Sequence, residues 1–179
     1  MMKLADAKLK FINAWGTFGT NWGINRTMAQ VHALLLVSSQ SLSADDIMEM
    51  LQISRGNANM NIRALIDMGL VYKSLKTGER REFFIAEKDM PRVVRQIILH
   101  RKKKELEPIL QVLEEIKQIS TAETAAENPE IAEETQAEVQ TFIQTVDDIQ
   151  LFAQKADKLL EALVTADPEW LMSSFMKMM

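Results

Sequence analysis

The sequence contains no cysteine. Disulfides, zinc thiolate clusters and cysteine nucleophiles are therefore excluded, and nothing ties the chain chemically to an oxidising compartment. Its longest purely apolar run, Ala33 to Val37, falls far short of the roughly 20 residues that cross a bilayer. Asp6, Lys8 and Lys10 interrupt any apolar stretch at the N-terminus, so a soluble cytoplasmic protein with no membrane partner is expected. There are only 2 histidines. Neither His32 nor His100 has a metal-ligand partner at helical spacing, and no H-E-x-x-H motif occurs. Gly16, Gly19 and Gly23 follow a helical pattern rather than a strand and do not match a dinucleotide fingerprint. With no constellation for catalysis, the expectation is a protein that is not an enzyme and uses no cofactor or metal.

What is present is a strong asymmetry of charge beneath a net −4. Residues 1–104 hold 17 Lys/Arg against 9 Asp/Glu, which is +8, and residues 105–179 hold 4 against 16, which is −12. A basic half joined to an acidic half points to one part that binds a polyanion and another that avoids it.

Glycine, proline and capping residues divide the chain. Residues 3–18 read as a helix with Leu4, Phe11, Trp15 and Phe18 on one stripe, broken over Gly19 to Gly23. Asn25 can cap a second helix that runs to about Ser38. Ser43, followed by Asp45 and Asp46, caps a short helix whose expected buried stripe is Ile47, Met50 and Leu51. After the brief connector Gln52-Ile53-Ser54, Ser54 can cap a helix that keeps Ala58, Ile62, Leu65 and Ile66 inward and stops at Gly69. Two short helices joined by so tight a turn are the signature of a helix-turn-helix. The period then becomes alternating over 71–76 and 81–86, with a turn at Thr77 to Arg80, which reads as a β-hairpin. A helix-turn-helix followed at once by a hairpin is a winged helix, with Lys76, Arg80 and Arg81 at or near the wing tip.

From Asp89 onward the chain reads as helical. Val94, Ile97, Ile98, Leu106, Ile109, Leu113 and Ile116 follow one pattern, and Pro108 should kink or split that helix. A further helix starts at Pro129. In it Val139, Phe142, Val146, Ile149, Ala153, Ala156, Leu160 and Leu163 alternate spacings of three and four, an uninterrupted coiled-coil seam expected to dimerise together with Phe11 and Trp15. Met172, Met176 and Met179, at near-helical spacing, could plug into a partner subunit. The predicted organisation is an N-terminal dimerisation helix over 1–24, a winged helix-turn-helix over 25–88 and an acidic helical dimerisation region over 89–179. The fold class is mainly α with a small β-hairpin wing.

On the helix from residue 54, a helical wheel turns Gly56, Asn57, Met60, Arg63 and Asp67 outward, with Asn59 and Asn61 on the flanks. Asparagine reads adenine through paired amide bonds, and arginine reads guanine or holds phosphate. Gly56 removes bulk in the first turn, where the helix would come closest to DNA. Arg80 and Arg81 suit phosphate or minor-groove contact beside it. The plainer alternative is a solvated helix face and an ordinary charged hairpin tip.

The stretches Trp22 to Arg26, Ser54 to Asn59, Met68 to Val71 and Gly78 to Arg81 resemble the MarR-type winged-helix transcription regulators, and most of all the GbsR branch named after the glycine-betaine-responsive repressor. The resemblance spans roughly residues 10–115. It implies a homodimer that binds double-stranded DNA sequence-specifically, adds Ser54 and Arg55 to the candidate DNA-contacting set, and suggests a small-molecule effector. A quaternary ammonium effector would want an aromatic cage, for which the candidates are Trp15, Phe18, Trp22 and Tyr72. Because aromatics at 11, 15, 18 and 22 keep a helical stripe, core or dimer packing competes with that role. A second function remains open on sequence alone, a winged-helix adaptor for other proteins that works through its acidic coiled-coil helices.

Overall fold

The structure is a computed structural model that describes residues 2–21, 23–116 and 129–166, with side chains from 137 onward in the last stretch. The methionine-rich segment with Met172, Met176 and Met179, and Trp22, lie outside the described residues. The chain divides into two compact units, parted between Gln96 and Ile97. Among the described residues no helix is long and apolar enough to cross a membrane.

The first unit is built around α2 (Arg26–Val37), which follows α1 (Leu4–Asn21). Helix α2 is buried nearly all round over its middle, at Ala29, Val31, His32, Ala33, Leu34 and Leu35. That makes it a central helix rather than a surface one. Asn25 caps it as expected, its side chain accepting from the Met28 amide at 3.2 Å. Helix α1 does not break at Gly19 but runs on to Asn21. Gly16 and Gly19 serve close packing instead. A Cβ at Gly19 would lie 2.6 Å from the Ala29 Cβ, and one at Gly16 2.7 Å from the Gln30 Cγ. The chain turns only at Gly23, at φ 72°, where the Ile24 amide donates back to the Gly19 carbonyl at 2.8 Å, a glycine-terminated helix end.

Helix α3 (Ala44–Leu51) begins at a reciprocal cap in which Ser43 accepts from the Asp46 amide and the Asp46 carboxylate accepts from the Ser43 amide. Ile47 is fully buried, but Met50, expected beside it, is 56% exposed. Ala44, Met48 and Leu51 are half-buried, so the inward stripe is centred between Ile47 and Met48, and Met50 falls on the far side of it. Helix α4 (Arg55–Asp67) is capped by Ser54 and buries Ala58, Ile62 and Leu65. Asn61, expected on a flank, is also buried, and its Nδ2 donates to the Asn57 carbonyl and Oδ1 at 2.8 and 2.6 Å. A side chain that satisfies itself on its own helix can enter the core without forfeiting its hydrogen bonds. Gly69, at φ 70°, ends the segment.

The wing strands are shorter than expected, β2 at Val71–Ser74 and β3 at Phe83–Ala86, joined by an eight-residue loop. A strand that periodicity missed, β1 (Leu42–Ser43), pairs antiparallel with the other edge of β3, giving the order β1-β3-β2. Two residues are too few to carry an alternating signal.

The second unit holds the end of α5 (Met90–Arg101), a π-helical turn at Lys102–Leu106, α6 (Glu107–Ile116) and α7 (Pro129–Thr165). The turn is how the chain absorbs Pro108, which has no amide to donate back into the preceding turn. Along α7 the buried residues are Val146, Gln150 and Ala153, flanked by half-buried Ile143, Asp157, Leu160 and Val164. The polar members of this face meet specific partners. Gln150 Nε2 donates to Glu114 at 2.6 Å, and Asp157 and Glu161 receive Lys102 Nζ at 3.0 and 3.2 Å. Polar groups at such positions fix the register of paired helices.

Candidate nucleic-acid interface

Two pieces of the first unit carry the candidate residues, α4 with its cap Ser54 and the loop between β2 and β3, and the start of α3 lines a cleft with them. Ser54, exposed, accepts from the Asn57 amide at 3.3 Å and fixes where α4 begins. Gly56 lies on the outer side of the first turn, and a Cβ added there would meet nothing within 4 Å. The fold does not require glycine at this position. Met60 and Arg63 project into solvent one turn further on, and Arg63 carries no ion pair or hydrogen bond among the described residues. Asn57 is half-buried, and its amide oxygen receives Asn61, which leaves its NH₂ group for an outside partner.

Arg55 is exposed but engaged, its guanidinium 2.8 Å from Asp45 at the start of α3. Asn59 and Arg55 line a cleft of about 200 Å³ together with Asp45, Arg81 and Glu82. The wing cations differ among themselves. Arg80 is exposed and without a partner among the described residues. Lys76 lies 4.0 Å over the ring of buried Phe83 and reaches the Ser41 carbonyl at 3.5 Å, while Arg81 sits 5.8 Å from the same ring and pairs with Glu79 at 3.3 Å. Such cation–ring contacts restrain long side chains that would otherwise sweep freely. The Asp46 carboxyl is held below its ordinary value, first by the Ser43 amide and hydroxyl and also by the nearby cations Arg81 and Lys76. The Lys76 contact with Ser41 and the cleft that Arg81 shares with Ser43 and Ala44 place wing cations close to the start of α3.

The candidate effector residues do not converge. Phe11, Trp15 and Phe18 form a row along α1 with ring centroids 5.4 and 5.7 Å apart. Tyr72 stands on β2, its hydroxyl donating to Glu87 at 3.1 Å, and Glu87 also pairs with Arg92 at 3.3 Å. Backbone amides of Asp89 and Lys88 donate to the same carboxylate, which lowers its pKa. Tyr72 therefore belongs to the junction between β3 and α5. Of the candidate dimerisation residues, Val146 and Ala153 are buried within the chain's own second unit, whereas Phe142, Ile149 and Leu163 face outward. The residues that sequence reasoning passed over are the carboxylates Asp45, Glu79 and Glu82 and the ring of Phe83. The charges were visible, but their pairing with cations arises only from the fold. Among the described residues no group of three metal-binding side chains exists.

A solved structure described as a transcriptional regulator superposes with a TM-score of 0.49 at 15% identity, covering 87% of this chain and 98% of the other. A MepR variant from S. aureus, solved bound to an oligodeoxyribonucleotide, gives a TM-score of 0.38 at 15% identity, over 80% of this chain and 92% of that one. No curated protein matches the chain. Residues 22–82 match the model of the MarR family, and that stretch carries the corresponding fold, a winged helix-turn-helix.

Proposed function

We propose that the chain is a sequence-specific DNA-binding transcriptional regulator that acts as a homodimer on a two-fold-related site. One observation carries the reading. An exposed helix with a bare first turn at Gly56 presents Asn57, Met60 and unpaired Arg63, in the same unit as a wing that carries unpaired Arg80. The helix offers groups that read base edges in a major groove, and the wing offers cations for phosphate or the minor groove. The match of residues 22–82 to the MarR family supports it, and the resemblance carried by Trp22 to Arg26, Ser54 to Asn59, Met68 to Val71 and Gly78 to Arg81 together favours the GbsR branch.

Dimerisation is supported by two apolar surfaces. Helix α1 exposes Leu4, Phe11 and Phe18. Helix α7 carries a second three-and-four seam beside its buried one, in which Phe142, Ile149, Phe152, Leu159 and Leu163 are exposed, Phe152 by 74%. Contiguous apolar surface of this kind marks an interaction site in a soluble protein, and a second copy of the chain is the occupant we assign. The rings on α1 lie side by side along one helix rather than around a ligand, so we assign them to that surface and not to an effector cage. The test is selection from a randomised duplex pool with the purified protein. Enrichment of an inverted repeat, bound by two chains, is expected. A pool that stays random at low salt would overturn the reading.

A further inference from the structure

Among the cations of α4 and of the wing with its strand β2, Lys76 is held over the Phe83 ring, and the others fall into two groups. Among the described residues Arg63 and Arg80 are unpaired, whereas Arg55, Lys73 and Arg81 each already hold a carboxylate: Asp45 at 2.8 Å, Glu82 at 2.5 Å and Glu79 at 3.3 Å. Every side chain in these pairs is at least 42% exposed. Exposed ion pairs add little to folding, so the fold does not explain why acids stand beside three of these cations. Their placement is specific. Asp45 and Glu82 approach from different elements, the start of α3 and the end of the wing loop, and both line the cleft that holds Arg55, Arg81 and Asn59.

Building on the DNA-binding reading above, we propose that Asp45 and Glu82 are positioning residues that confer sequence discrimination by withholding Arg55 and Lys73 from the phosphate backbone. A duplex in a wrong register gains affinity only from phosphates. To use Arg55 it must pull the guanidinium away from Asp45. The carboxylate, fixed by the backbone of α3, then stays in the cleft as an unpaired negative charge facing the phosphate. The exchange replaces one charge-assisted contact by another and adds a repulsion, so it yields nothing. In the correct register Arg55 need not leave Asp45. The carboxylate takes one nitrogen of the guanidinium, Nη2, and leaves the remaining N–H groups at the cleft shared with Asn59, where a base edge can accept them. Discrimination then comes partly from a penalty on wrong DNA rather than from contacts with the right site alone.

The test compares the wild-type protein with the double variant Asp45→Asn/Glu82→Gln. Each is titrated with a random-sequence duplex and with the duplex selected by the wild type, over a range of salt. The double variant should bind the random duplex roughly tenfold more tightly, with a log–log salt slope steeper by roughly 0.9 for each cation released. Its affinity for the selected duplex should change much less, so the ratio between the two falls. A Glu107→Gln/Glu115→Gln variant, with the same change in net charge, should leave the ratio intact, and thermal melts should show both variants folded. If wild type and variants alike bind no duplex at low salt, the DNA-binding reading fails and takes this one with it. If the wild type discriminates but the double variant shows the same random-duplex affinity and slope, only the proposed role of Asp45 and Glu82 is overturned.

Discussion

One substitution made at two helical glycines should have opposite consequences. At Gly56 an added methyl meets nothing within 4 Å, and alanine is favoured over glycine within a helix by about 0.8–1.0 kcal/mol. Gly56→Ala should therefore stabilise the protein by up to about 1 kcal/mol, which for a unit of this size raises the melting temperature by about 4–8 °C. The same methyl stands on the side of α4 that is proposed to enter a major groove, so affinity for the selected duplex should drop several-fold. At Gly19 the methyl would lie 2.6 Å from the Ala29 Cβ, about an ångström inside ordinary contact. Helix α1 must back away from α2, and overpacking of this kind costs about 1–3 kcal/mol, enough to outweigh the gain in propensity. Thermal melts and fluorescence-anisotropy titrations of the two variants read all of these effects. If Gly56→Ala melts lower than the wild type, or binds the selected duplex as tightly, the assignment of Gly56 to a bare recognition surface is wrong. If Gly19→Ala is as stable as the wild type, close α1–α2 packing does not explain that glycine.

Other outcomes follow from the same geometry. His32 is 4% exposed, its Nε2 has no partner among the described residues, and burial lowers its pKa from 6.5 to about 4. The unfolded chain takes up a proton below pH 6.5 that the folded chain refuses until about pH 4. Stability is therefore complete above pH 6.5 and falls by about 3 kcal/mol on the way to pH 4; urea melts of His32→Leu should lack that dependence, and an unchanged one would refute it. Arg80→Ala/Arg81→Ala should weaken all duplexes and flatten the log–log salt dependence by roughly 0.9 for each phosphate the wing no longer neutralises, and an unaltered slope would remove the wing from the interface. Arg63→Ala should keep its stability yet lose about 1–3 kcal/mol of discrimination between selected and random duplex. Ile62→Ala should cost about 2–5 kcal/mol of stability through a core cavity, and the reverse pattern in this pair of variants would mean the helix is turned the other way.

The parts legible in the sequence are those whose physics is local. Asn25, Ser43 and Ser54 all cap the helices assigned to them, because a cap bonds to an amide three residues away. The inward stripe of α4 was readable in Ala58, Ile62 and Leu65 for the same reason, and the wing announced itself through its change of period. What escaped depends on neighbours distant in sequence. Gly16 and Gly19 look like breaks until α2 is placed against them. Asn61 looks like a flank residue until its amide is seen to bond back to Asn57. On α7 two three-and-four seams run side by side, and the single seam expected from spacing takes its members alternately from both; the one the chain covers itself carries Gln150 and Asp157, which meet Glu114 and Lys102. The pairing of Arg55 with Asp45 likewise joins residues ten apart across the turn between two helices.

The central claim, a two-fold regulator with one α4 in each of two successive major grooves, is tested most directly by hydroxyl-radical footprinting on the selected duplex. Two protected patches should appear, one helical turn or about 10–10.5 base pairs apart centre to centre, and both should vanish together in Arg63→Ala at a concentration where the wild type protects fully. A single patch, or protection spread evenly along the duplex and indifferent to Arg63, would contradict the account.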